Sequence, residues 1–61
     1  MIHYRILANH QGQTEELDYT DDKEEAIRFR DEYQLGSNWV VWVEVQTFVD
    51  GVLDECYPLD S

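Results

Sequence analysis

The run WVVWVEVQTFVDGVLDECY, residues 39–57, decides the fold. It is dense in β-branched and aromatic side chains, which suit a pleated surface, and much of it alternates with a period of two. Asp50-Gly51 at its centre is the dipeptide that accepts the positive φ angles of a two-residue hairpin turn. Folded about that turn, Val49 is expected opposite Val52, Phe48 opposite Leu53, Val45 opposite Cys56 and Glu44 opposite Tyr57. Pro58 then ends the returning strand or marks a sheet edge. The outgoing strand is apolar on both sides. Trp39, Val41, Val43, Val45 and Val49, with Val52 and Cys56, read as the core side. Val40, Trp42, Phe48, Leu53, Tyr57 and Leu59 read as the other side, interrupted by Glu44, Gln46 and Glu55.

Upstream lies a helix. Asp21 reads as its N-cap, with Glu24 three residues on in a capping-box arrangement, and acids crowd the first turn where the helix dipole favours them. Gly36 marks its end. At about 100° per residue, Ala26, Ile27, Phe29 and Tyr33 share one broad side. Asp21, Glu24, Glu25, Asp31 and Glu32 collect opposite, with Arg28 among them one turn from both Glu24 and Glu32 and so placed to bridge the two. Lys23 and Arg30 flank the apolar side, where their stems cover apolar surface.

The first twenty residues read as a second hairpin. Ile2, Tyr4, Ile6 and Ala8 alternate with His3, Arg5, Leu7 and Asn9. Residues 9–13 form a turn cluster in which Gly12 takes a positive φ without steric cost. Residues 14–20 form a more polar strand with Leu17 and Tyr19 inward, while Glu16 and Asp18 face solvent and discourage pairing at an edge. The order ββαββ, with a helical crossover between the hairpins, gives a sheet order of 2-1-3-4. One helix on a four-stranded antiparallel sheet is an α+β two-layer sandwich, and residues 1–61 are expected to form one small acidic domain.

Fourteen Asp and Glu residues against four Lys and Arg leave a formal charge of −10 on 61 residues. Two tryptophans, four tyrosines and two phenylalanines argue against an acidic disordered tail. The single cysteine, Cys56, permits no intrachain disulfide. It reads as a small core residue, and its acidic surroundings are the reverse of what activates a thiol. With no apparent leader or apolar span, the cytoplasm is the expected compartment.

Chemistry is sparse. His3 and His10 have no cysteine or second histidine at zinc-ligand spacing. Neighbouring carboxylates such as Asp21-Asp22 and Asp54-Glu55 lack the spacing of a calcium loop and read as solvated charge. No nucleophile motif or phosphate-binding glycine loop is present, so neither catalytic residues, metal ligands nor a cofactor are expected. The charge repels nucleic acid and anionic membrane, which excludes direct binding to either as the expectation.

The same charge is attracted to basic surfaces. The expected function is that of a non-enzymatic acidic protein-binding module. In character it resembles small phage- or mobile-element-encoded inhibitors that mimic DNA and block the basic site of a nucleic-acid-handling protein. Glu16, Asp18, Glu24, Glu25, Asp31 and Glu32 are the expected acidic contact residues. Trp42, Phe48 and Tyr57 are the expected aromatic anchors. The alternative is a small homodimeric scaffold or regulatory domain that associates through that aromatic sheet face.

Overall fold

The computed structural model describes residues 1–59. Strand β1 (Ile2–His10) and strand β2 (Gln13–Thr20) lead into helix α1 (Lys23–Leu35), followed by β3 (Val40–Val49) and β4 (Val52–Pro58). The four strands form one sheet in the order β2-β1-β3-β4. β1 runs antiparallel to both β2 and β3, so β2 and β3 are parallel and need a long crossover between them. The helix supplies it. This is the expected ββαββ two-layer sandwich.

Both hairpins close through two residues at positive φ: Gln11 (54°) with Gly12 (81°), and Asp50 (52°) with Gly51 (81°). Two successive residues in that region form the mirror-image turn whose twist matches the flanking strands. The Asp50-Gly51 reading is therefore met, as is the expected role of Gly12.

Each hairpin also carries a bulge that alternation did not anticipate. In the first, Ile6 faces Asp18 and Leu7 faces Glu16, which leaves Leu17 as the extra residue. In the second, Phe48 faces Leu53 and Thr47 faces Glu55, which leaves Asp54 as the extra residue. A bulge reverses the sidedness of everything beyond it. Thus Val45 faces Tyr57 and Glu44 faces Pro58, one residue away from the expected pairing. Cys56 faces Gln46 on the outer side of the sheet and is exposed, so it is not a core residue. Tyr19 likewise moves to the outer face and Thr20 is buried on the helix side.

The core lies between the helix and the centre of the sheet. Ile6, Ala8, Ala26, Val41 and Val43 form its buried cluster, with Tyr4, Leu17, Phe29, Tyr33, Trp39 and Leu59 packed against it. Leu59 reaches this side because the Asp54 bulge reverses sidedness, and its backbone N–H donates to Val43 O at 2.8 Å. The helix packs on β1, β2 and β3 but not on β4. Val49 and Val52 therefore lie on the helix side yet stay 58% and 67% exposed.

The helix begins one residue later than its sequence suggests. Asp22, not Asp21, is the N-cap: its side chain accepts from the N–H groups of Glu24 and Glu25 at 2.9 and 3.3 Å. Thr20 Oγ1 accepts from Asp22 N at 3.1 Å and sets this entry. Asp22→Ala is expected to cost about 1 kcal/mol. In a domain of this size that lowers the melting temperature by about 4–8 °C. Asp21→Ala should melt within about 2 °C of the parent, since its side chain closes no helix hydrogen bond among the described residues. Thermal melts of the two variants separate the caps. The helix ends at Gly36, whose φ of −90° any residue adopts, so its role is not conformational freedom.

Candidate protein-binding surface

The helix and β2 carry all six of the expected acidic contacts, and the structure sorts them by what each already touches. Glu16 is engaged on the outer face. Arg5 Nε donates to Glu16 Oε1 at 2.8 Å, while its Nη1 donates to Glu44 Oε1 at 2.9 Å. One guanidinium thus bridges two strands and holds two carboxylates, which hold it charged to a pH above its ordinary range against the opposing effect of burial.

Asp18 does not project from the outer face as its alternation suggested. The Leu17 bulge turns it to the helix side, where it is half-buried and its Oδ2 accepts from the Tyr33 hydroxyl at 3.3 Å. Burial, then Asp18, then Glu32 push that hydroxyl above its usual value. The fold therefore favours the neutral phenol. This stability is whole below about pH 10, where an unfolded tyrosine is also neutral, and is lost as pH rises through the folded value. Urea denaturation across pH 9–12 should show a decline that Tyr33→Phe reduces; an unchanged decline in the variant would assign the alkaline loss to other groups.

On the helix, Arg28 pairs with Glu25 at 3.7 Å instead of bridging Glu24 and Glu32. Arg30 pairs with the adjacent Asp31 at 3.2 Å. Glu24 and Glu32 are exposed, and among the described residues their carboxylates have no ion pair. Eight residues apart, they stand about 12 Å from each other along the axis. All three arginines are thus occupied by carboxylates of the same molecule, and the surplus negative charge is left facing outward.

The aromatic residues divide differently from their sequence pattern. Trp42 and Phe48 lie on the outer face, both half-buried. His3 joins Phe48 edge-on and Tyr19 in a stack, each with centroids 5.2 Å apart. The His3 and Tyr19 partners were not anticipated, because the bulge that brings Tyr19 across carries no signal in simple alternation. Leu7 is buried on this outer face, between Trp42 and Glu16 in the register. Tyr57, expected beside Trp42, sits on the opposite face across from Val45 because Asp54 shifts the register. A single three-anchor aromatic patch is therefore not assembled: Trp42 and Phe48 share one face and Tyr57 occupies the other.

On the outer face, hydrogen bonding to Glu44, then burial, raise the Cys56 thiol above its ordinary value, so it is held protonated. No group of three or more His, Cys, Asp and Glu residues converges as a metal cage among the described residues. No helix among them is long and apolar enough to cross a membrane.

An open groove of about 470 Å³ lies where the helix ends and the chain turns into β3, lined by Glu32, Tyr33, Gly36, Ser37, Asn38 and Trp39. Hydrogen bonds tie the backbone around it. Ser37 Oγ donates to Tyr33 O at 2.9 Å, Gln34 Nε2 donates to Trp39 O at 2.7 Å, and Val41 N donates to Gln34 Oε1 at 3.1 Å. The Trp39 ring meets that of His10, with centroids 4.8 Å apart. The sequence marked Trp39 only as a core residue; the groove arises from how the turn carries it past the helix end. Comparison of the chain with protein-family models, with curated proteins and with solved structures gave no match.

Proposed function

We propose that this chain is a non-enzymatic acidic module that seats on the basic site of a nucleic-acid-handling protein and keeps nucleic acid out of it, as a phage- or mobile-element-type inhibitor would. One observation carries the reading: a body of charge −10 whose three arginines are each occupied by its own carboxylates. An unneutralised field of one sign steers association with the opposite sign and repels polyphosphate. Glu24, Glu25 and Glu32 on the helix are the contact residues this reading favours, while Glu16 lies on the opposite, outer face of the sheet.

The test is retention of proteins from a host extract on the immobilised chain at about 50 mM salt, followed by elution with duplex DNA. The expected result is retention of basic nucleic-acid-binding proteins, their release by duplex, and their loss at about 500 mM salt, where screening shortens to a few ångströms. Retained proteins that lack a basic surface, or that stay bound in high salt, contradict it.

One observation favours a second reading, association of two copies through the sheet. Every residue of β4 is exposed, Val52, Leu53 and Tyr57 among them. Sedimentation over a hundredfold concentration range decides this, a persistent monomer removing the dimer. The bulge at Asp54 and the neighbouring Glu55 weigh against simple edge pairing.

A further inference from the structure

We infer that the groove at the helix C-terminus is a seat for a single arginine side chain of the basic partner. The inference rests on the proposed function and names the point at which that partner is gripped. Three features converge there. Glu32 supplies a carboxylate with no ion pair among the described residues. Trp39 supplies an indole, the aromatic ring that attracts a cation most strongly. The helix directs its negative dipole end at the same place, and its last turn holds no basic residue to satisfy it.

The groove also suits a guanidinium better than an ammonium. A planar guanidinium stacks on an indole and donates in parallel to a carboxylate, whereas an ammonium offers a compact, strongly hydrated charge. The walls are held in place beforehand by the Ser37–Tyr33 and Gln34–Trp39 hydrogen bonds, so little ordering is required on binding. An acidic side chain has no such complement here.

The experiment uses the full chain, labelled with ¹⁵N, and N-acetyl-arginine amide as the probe, with N-acetyl-lysine amide and N-acetyl-leucine amide in parallel. The expected result is saturable displacement of the Trp39 indole signal and of the Ser37 and Asn38 amides by the arginine probe. The lysine probe should bind more weakly and the leucine probe should leave these signals unmoved. Glu32→Gln is expected to weaken arginine binding about fivefold, the scale of one exposed ion pair. Glu55→Gln, an exposed acid on β4 outside the groove, should leave it unchanged. Shifts that never saturate, that spread evenly over the amides of all acidic residues, or whose midpoint Glu32→Gln leaves unchanged overturn the inference. Because the probe needs no partner protein, this result is independent of the extract experiment. A groove that ignores arginine beside a chain that still captures DNA-releasable proteins refutes the seat alone.

Discussion

Replacing Ile6 by alanine is expected to bring the protein to the edge of unfolding at room temperature. Ile6 is fully buried at the middle of β1, opposite Val43 on one side and Asp18 on the other. Ala26 of the helix belongs to the same buried cluster. Cutting isoleucine to alanine in such a place costs about 2–5 kcal/mol, since the cavity adds to the lost transfer energy. A chain of 61 residues has roughly 3–9 kcal/mol in total at the usual stability per residue. The loss is therefore comparable with the whole. Ile6→Val should cost about 1 kcal/mol and leave a cooperative melt a few degrees lower. Circular dichroism melts of both variants check this. An alanine variant melting within about 3 °C of the parent would show that the core is not organised around this side chain.

The second large effect concerns the acidic helix face. Reversing Glu24 and Glu32 to lysine together raises the net charge by four and places cations where the partner's basic surface is expected. Steering of this kind changes association rates by about 10- to 1000-fold. The double variant should therefore associate with a captured partner at least about tenfold more slowly in low salt, with a smaller change in dissociation. Surface plasmon resonance at two salt concentrations measures both rates. Both positions are exposed and have no ion pair among the described residues, so folding should survive, and an unaltered melt confirms that the rate change reflects charge. An association rate that does not respond to the reversal removes the helix face from the interface.

Element order was legible because each element has its own signal. The Asp50-Gly51 pair, the run of acids at the helix start and the apolar spacing of Ala26, Phe29 and Tyr33 are local features, and local features survive folding. The bulges were not legible. Strict alternation from the second turn would set Asp54 opposite Thr47 and Tyr57 opposite Glu44. The fold expels Asp54 from the ladder, and in return brings Tyr57 across from Val45 and Leu59 onto the core. The first hairpin does the same at Leu17, placing Thr20 where it is buried and caps the helix entry through Asp22. Such choices are settled by packing at long range, and a period-two reading has no way to register them.

The candidate surface inherits those errors. Asp18 and Tyr57 lost their expected places for this one reason, while the carboxylates of the helix kept theirs, because helix periodicity contains no such slip. The arginines were also only partly readable. Arg5 bridging Glu16 and Glu44 depends on three strands coming together, and sequence spacing cannot express that. Its consequence matters for function: a cation that offsets charge in the composition is already occupied inside the fold.

Competition for one partner tests the central claim most directly. A protein retained from extract is bound to a fluorescently labelled DNA duplex, and the chain is titrated in while polarisation is read. Mutually exclusive binding is expected: polarisation falls to that of free duplex as the chain saturates the partner. Polarisation that stays high, with chain, partner and duplex migrating together, would contradict the claim that this acidic surface occupies the site of nucleic acid.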